Sequence, residues 1–204
     1  MSLVRDPVLE NPWITTWRPP EQPERKPGPI EVTADSPTPQ PGVQPPPPEQ
    51  RLPSRQLARK ELLVPVWLTS AHGGAGSSTL ADLSGLGWRA AGTAWPISPD
   101  PNRPARVLLC ARTSYTGLRA AQVALTDWAS GRVPVELEGV VLLAAAPGRL
   151  PKPLRPLLEL VRGAAGRVWE VGWQSPWLVG PAVMTGDRGL RELFERFNIQ
   201  PREV

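Results

Sequence analysis

The residues of this chain most suited to chemistry form a glycine-rich segment between positions 72 and 79. An apolar run at 62–68 comes before this segment, and the helix-like sequence 80–83 follows it. A short strand, a tight glycine turn and a helix start, in that order, let backbone N–H groups point at an anion. The candidate phosphate or anion loop consists of Gly73, Gly74, Ala75, Gly76, Ser77, Ser78 and Thr79.

This loop resembles the deviant Walker A loop of the ParA/MinD family of P-loop ATPases, written K-G-G-x-G-K-[ST]-T. His72 stands in place of the family's signature lysine, and Ser77 stands in place of its phosphate-binding lysine. Over residues 62–204 the chain is also similar to a family of actinobacterial proteins that carry a degenerate loop and are often encoded near conjugation-type genes. The matching positions of the loop are Gly73, Gly74, Gly76, Ser78 and Thr79.

The resemblance implies a nucleotide site that has lost its charged groups. A P-loop ATPase needs a lysine for the phosphates, a hydroxyl for Mg²⁺ and an aspartate at another strand end. The hydroxyls remain, and Ser78 is a candidate weak Mg²⁺ ligand. The strand ends near Arg112 and Pro147 carry no acid. The interval in which the family has its aspartate-ending strand is short and broken by prolines, so we expect this strand to be deleted or worn away.

Loss of both the lysine and the metal carboxylate removes most of the charge compensation for a triphosphate, so we predict no hydrolysis. Two interpretations of the loop stay open. Backbone N–H groups could bind ATP or ADP weakly without the lysine, or the glycines serve only the tight turn between strand and helix. General-base catalysis by His72, the only histidine, would need an orienting acid, and no such partner can be named. We therefore assign no catalytic residue and no metal centre.

Hydrophobic patterns predict alternating strands and helices after residue 60. Continuous apolar runs are typical of strands buried on both faces, and apolar residues at three- and four-residue spacing indicate helices. The alternation predicts an α/β fold with three layers, a mostly parallel sheet and helices on both faces, which is also the P-loop NTPase-like architecture that the resemblance implies. We predict strands at 64–70, 88–94, 105–111, 140–146 and 167–171, helices at 77–84, 116–129, 154–162 and 186–197, and a loop at 95–104.

The carboxyl ends of parallel strands share one edge of a sheet, where ligands of such folds bind. The glycine loop, the turns at 112–114 and 146–149, and the tryptophan-rich stretch 173–177 should meet at this edge. An aromatic surface there could hold a nucleotide base or a partner chain. We favour a partner for Trp173 and Trp177, because tryptophan is enriched at interfaces and charged residues are sparse nearby.

The first 60 residues differ in composition from the rest, since they hold 15 of the 28 prolines. They predict a disordered, proline-rich arm that acts mainly as a semi-extended spacer, with the folded domain at 61–204. Within the arm, the motif at 11–17 contains Trp13 and Trp17, which is unusual because disordered chains are poor in aromatic residues. This motif either folds back onto the domain or docks onto a partner.

Composition limits the classes of function. The net charge of +4 comes from scattered arginines rather than a concentrated basic patch, so DNA binding is not indicated. One cysteine, Cys110, excludes an internal disulfide and fits a reducing compartment. The sequence shows neither a signal-peptide pattern nor an apolar stretch long enough for a bilayer, so we expect a cytoplasmic protein without a membrane partner.

Together these patterns predict a non-hydrolysing, ParA/MinD-like interaction or scaffold protein, which the resemblance associates with conjugation or DNA-partitioning machinery. Its protein partners would use the Trp13/Trp17 motif and the strand-end face. The alternatives are a nucleotide-binding switch and a weak ATPase that a partner completes. In the resembled family, dimers close around ATP and the signature lysine reaches across the interface. Because His72 replaces this lysine, the resemblance does not predict an oligomeric state.

Overall fold

A five-stranded parallel sheet forms the centre of the protein. The structure is a computed structural model and describes residues 37–85 and 87–202. Neighbouring strands of the sheet are all parallel, in the order β3-β2-β5-β6-β7. This order confirms the predicted α/β class and parallel sheet. The described strands are β1 (Ser54–Gln56), β2 (Val66–Ser70), β3 (Trp88–Gly92), β4 (Trp95–Ile97), β5 (Ala105–Arg112), β6 (Val135–Leu143) and β7 (Val168–Val171).

Helices cover both faces of this sheet. The described α-helices are α1 (Ser77–Leu83), α2 (Tyr115–Ala129), α3 (Arg155–Ala165) and α4 (Arg188–Arg196). Helices α2 and α3 pack on one face, and α1 and α4 pack on the other. The predicted three-layer arrangement is therefore present. No α-helix in the described ranges combines the length and apolar character that a bilayer crossing requires.

Strand β5 connects the two hydrophobic cores, because its side chains alternate between the faces. Val107 and Leu109 enter the core under α2 and α3, whereas Leu108 and Cys110 enter the core under α1 and α4. Burial raises the pKa of the Cys110 thiol to about 12. The thiol is therefore protonated and unreactive in the folded state, as expected for a cysteine that serves packing.

Local sequence fixes where the helices begin. The Ser114 hydroxyl accepts a hydrogen bond from the Gly117 N–H at 3.1 Å and so forms the N-cap of α2. Asp187 caps α4 in the same way, because its Oδ1 accepts from the Leu190 N–H at 2.8 Å. Pro156 lies in the first turn of α3, where proline is tolerated. These caps also hold the segments that connect the strand ends to the helices.

Residues 37–60 pack against the folded body, unlike the spacer predicted for this part of the chain. Strand β1 pairs in parallel with β4, Leu57 is buried in a core, and the Gln40 N–H donates to the Ala129 carbonyl at 2.9 Å. The predicted domain start at residue 61 is therefore too late, and the loop predicted at 95–104 is wrong for Trp95–Ile97. Three-residue strands contain too little periodicity to predict. Residues 1–36, with Trp13 and Trp17, lie outside the described residues.

One buried carboxylate joins this early segment to α2. Asp127 is 3% exposed, and its Oδ1 lies 3.8 Å from Arg51 Nε and 4.0 Å from Arg132 Nε. The same oxygen has no hydrogen-bond partner within the described ranges. Burial raises the pKa of Asp127, and the two arginines oppose that shift only in part. Relative to an exposed aspartate, burial therefore shifts the Asp127 side chain toward its protonated form.

Candidate functional site

The glycine loop (residues 73–79) connects the end of β2 to the start of α1, as predicted. Gly74 and Gly76 have φ angles of +74° and +95°. Residues other than glycine adopt such positive φ angles only at a cost in free energy. A Cβ atom on Gly76 would lie 2.8 Å from Leu143 Cδ2, whereas a Cβ on Gly74 would meet nothing within 4 Å. The curved backbone thus needs glycine at 76 for two reasons, conformation and contact with β6.

Ser77, which stands in the place of the phosphate-binding lysine, has its hydroxyl turned into the protein. The side chain is 3% exposed, and its Oγ lies 2.6 Å from the Oγ of Ser70. Ser70 is the last residue of β2. The two hydroxyls form a buried hydrogen bond that joins the strand to the helix across the loop, so the polar group at this position stabilises the turn.

The two hydroxyl residues that follow lie on different surfaces. Ser78, the candidate weak Mg²⁺ ligand, is exposed and lines a groove with Asp82 and Trp88 on the β3 side of the sheet. Thr79 is half-buried and lines a different cavity, at the carboxyl edge of the sheet. Across residues 37–85 and 87–202, no group of three or more His, Cys, Asp or Glu side chains has the arrangement of a metal site.

His72 holds the loop to the end of the neighbouring strand. Its Nε2 accepts a hydrogen bond from the backbone N–H of Arg112 at 3.1 Å, and its Nδ1 lies 2.8 Å from the Gly73 carbonyl oxygen. Nε2 therefore lacks a proton, and Nδ1–H donates to the carbonyl. A Cβ on Gly117 would lie only 2.9 Å from Nε2, so α2 closes over the ring. Both ring nitrogens are engaged in structural bonds.

Arg112 contacts the loop directly, and its place in the sequence predicts a position at this edge but no role. Its Nε donates to the Gly74 carbonyl at 3.2 Å, and its Nη1 donates to the Ala144 carbonyl at 2.8 Å. The guanidinium therefore bridges the glycine loop and the segment after β6. The sequence indicates this position because Arg112 directly follows the predicted strand 105–111, whose carboxyl end lies at the same edge as the loop.

The ends of the five sheet strands carry no carboxylate. The strands end at Ser70, Gly92, Arg112, Leu143 and Val171. The interval between the loop and residue 105 contains β3, a strand that the sequence predicts at 88–94, and β3 pairs with β2. It ends at Gly92, so the aspartate that the resemblance would require is missing from this strand end.

Trp173 and Trp177 lie at the same edge as the glycine loop, as predicted. They belong to the tryptophan turn (residues 172–178), in which the Trp177 Nε1–H donates to the Val183 carbonyl at 2.9 Å. The Gln174 amide donates to the Gly172 carbonyl at 3.0 Å and accepts from the Thr185 hydroxyl at 2.8 Å. These bonds fix the backbone of the turn. Trp177 also packs against the core under α1 and α4.

A small cavity separates the glycine loop from the tryptophan turn, and we call it the strand-end cavity. Its volume is about 90 Å³. Pockets that hold cofactors and other small molecules usually measure about 300–1,000 Å³, so this cavity is several times too small for a nucleoside triphosphate. The side chains that line it include Thr79, Arg112, Leu143, Trp173, Trp177 and Leu178.

Comparison with protein-family models, with curated proteins and with solved structures gives no match to this chain. The geometry of the strand-end edge therefore carries the functional proposal.

Proposed function

We propose that this chain is a non-hydrolysing interaction or scaffold module with a P-loop-like fold, and that its strand-end face binds a protein partner. The strand-end face comprises the glycine loop, the start of α2 and the tryptophan turn. The bridge from the Arg112 guanidinium to the Gly74 and Ala144 carbonyl oxygens is the observation that carries the proposal. Because of this bridge, the loop is held in shape by the protein's own groups.

Three features of the loop argue against nucleotide turnover. The Ser77 hydroxyl is buried against Ser70, the neighbouring strands end without an acid, and the strand-end cavity has only about 90 Å³. Phosphoryl transfer depends on cations that neutralise the developing charge on the phosphates. Arg112 is the one cationic side chain that lines the described cavity, and two of its N–H groups already bond to carbonyl oxygens.

The surface around the cavity has the composition of a protein interface. Leu178 is 69% exposed, and Val179, the next residue along the chain, is 91% exposed. Tyr115 is 63% exposed at the start of α2, three residues after the end of β5. Aromatic residues and arginine dominate the binding energy of protein interfaces, and this edge presents both beside exposed aliphatic groups. A role close to conjugation or DNA-partitioning machinery follows from the family resemblance and belongs to the same proposal.

The test compares partner capture by two leucine variants of the full-length chain. Leu178→Ser changes the strand-end face, whereas Leu160→Ser changes a leucine on α3 that is 57% exposed and lies outside the cavity. Each purified protein is used as bait in extract from the source organism. Candidate partners are then purified, and their affinity is measured by calorimetry.

We expect a partner that binds the wild type and Leu160→Ser with equal affinity and binds Leu178→Ser at least about tenfold more weakly, which corresponds to about 1.4 kcal/mol. Equal affinity of every purified partner for all three proteins would contradict the proposal that this face is the binding surface.

A further inference from the structure

We propose that the partner segment bound at the strand-end face is acidic. One of its carboxylates would bind Arg112, and an adjacent apolar side chain would pack against Trp173, Trp177 and Leu178. This inference rests on the proposed function and adds the chemistry of the partner to it.

The charge of the strand-end cavity favours a carboxylate. Among the described residues that line it, Arg112 is the only ionisable group. No carboxylate within the described part of the chain forms an ion pair with the Arg112 guanidinium. Both of its side-chain hydrogen bonds go to neutral carbonyl oxygens. The Arg112 guanidinium therefore has no ion-pair partner among the described residues.

The hydrogen-bonding capacity of Arg112 leads to the same ligand. A guanidinium has five N–H donors, and Nε and one N–H of Nη1 are already bonded. The remaining donors belong to Nη1 and Nη2, the pair whose geometry matches the two oxygens of a carboxylate. The two carbonyl bonds hold the guanidinium in place, so a carboxylate can bind without first ordering a flexible side chain.

The size and walls of the cavity favour one protein side chain beside that carboxylate. A water molecule takes about 30 Å³ in the liquid, so a cavity of about 90 Å³ has room for a group of a few heavy atoms. Trp173 and Trp177 supply flat apolar walls, and Leu178 extends them to the surface. A nucleic acid would need a row of cations along its backbone as well as stacking surfaces, whereas the described residues place a single cation in this cavity.

The experiment selects ligands from random sequences, so the natural partner need not be identified first. A phage-displayed library of random linear peptides is panned on the full-length chain, and the enriched peptides are synthesised. Their affinities are measured for the wild type, Arg112→Gln, Arg112→Lys and Arg149→Gln. Arg149 is an exposed arginine in the segment after β6 and does not line the cavity, so it is the matched control. Circular dichroism and the reactivity of the Cys110 thiol report whether each variant is folded.

We expect the enriched peptides to share an aspartate or glutamate next to a large apolar residue. Their affinity should fall at least about tenfold in Arg112→Gln, stay unchanged in Arg149→Gln, and take an intermediate value in Arg112→Lys, which keeps the charge but loses the fork. Replacing the acidic residue of the peptide by its amide should weaken binding to the wild type by a similar factor and leave binding to Arg112→Gln unchanged.

Three outcomes would overturn this inference. The enriched peptides could lack acidic residues, or folded Arg112→Gln could bind them as well as the wild type does. A single-stranded oligothymidylate could also displace the peptides from the wild type and bind Arg112→Gln more weakly, which would make a nucleic acid the ligand of Arg112. None of these outcomes decides the proposed function, because that function depends on whether Leu178→Ser weakens the binding of the natural partner. Equal affinity of that partner for the wild type and Leu178→Ser would overturn the proposed function instead.

Discussion

The glycine loop and the tryptophan turn line the same cavity. Polar groups of the loop are bonded within the protein, whereas the turn exposes an apolar side chain to solvent. In the loop, the Ser77 hydroxyl and the Gly74 carbonyl are bonded to Ser70 and Arg112. In the turn, internal hydrogen bonds fix the backbone, while Leu178 remains 69% exposed. The loop is complete without a ligand, whereas the turn holds an apolar surface that the described residues leave in contact with solvent.

The two segments show that a sequence pattern alone does not determine whether a segment binds a ligand. The loop has the sequence pattern of a phosphate site, and its polar groups stabilise the protein itself. The turn has no catalytic pattern, and its exposed side chains are of the types that contribute most to protein interfaces. Substitutions in the loop should therefore change stability, and substitutions at the rim of the turn should change binding.

The largest expected effect on stability is that of Gly76→Ala. The new Cβ would lie in a left-handed backbone conformation and 2.8 Å from Leu143 Cδ2, in a core with little room to adjust. Conformational cost and overpacking together should lower the free energy of unfolding by about 2–4 kcal/mol. Urea unfolding followed by circular dichroism measures this value.

Gly74→Ala is the matched control for this prediction. Gly74 has a similar positive φ angle, but a Cβ there meets nothing within 4 Å. We expect a loss of only about 1–2 kcal/mol from the backbone conformation. Equal losses in the two variants would mean that the close contact between a Cβ at position 76 and Leu143 adds nothing to the cost of the backbone conformation.

The second effect concerns the buried hydroxyl pair. Ser77→Ala should lower the free energy of unfolding by about 1–3 kcal/mol, because it leaves the Ser70 hydroxyl buried without its partner. The double variant Ser70→Ala/Ser77→Ala should recover part of this loss, since no unpaired hydroxyl remains. The exposed Ser78→Ala should stay within about 0.5 kcal/mol of the wild type. Additive losses in the double variant would show that the two hydroxyls do not interact.

Asp127 extends the comparison to a buried polar group, one of whose oxygens has no hydrogen-bond partner among the described residues. Burial raises its folded-state pKa, so the folded protein binds the proton more tightly than the unfolded chain does. The unfolding free energy of the wild type, relative to Asp127→Asn, should therefore rise as the pH falls through the raised pKa. The difference should level off below the unfolded pKa of about 3.9.

Measuring both proteins across this pH range cancels the contributions of the other carboxylates. A relative stability that instead falls with decreasing pH would mean that the ion pairs with Arg51 and Arg132 outweigh burial.

The smallest expected effect on stability is that of Leu178→Ser. Because this side chain is largely exposed, the free energy of unfolding should change by no more than about 0.5 kcal/mol, as for Leu160→Ser. Thermal unfolding by calorimetry checks this value. A loss of several kcal/mol would show that Leu178 supports the fold, and its effect on partner binding would then have another explanation.

Features set by short stretches of sequence were predictable. The buried strand β5, helix α2 and the positions of the glycine loop and Trp173 follow from apolar runs, apolar spacing and the alternation of elements. The bridge from Arg112 to Gly74 and Ala144 was not predictable, because it joins three segments that only the order of the strands brings together. The pairing of β1 with β4 was missed since neither strand is long enough to show a period of two.

We propose that the glycine loop is a structural turn rather than a nucleotide site. A titration of the full-length chain with ATP and with ADP by equilibrium dialysis, in the presence and absence of Mg²⁺ and together with an assay of phosphate release, tests it most directly. We predict no saturable binding at millimolar nucleotide and no phosphate release above that of buffer. Saturable, Mg²⁺-dependent binding accompanied by phosphate release, both lost in Ser77→Leu, would contradict the claim.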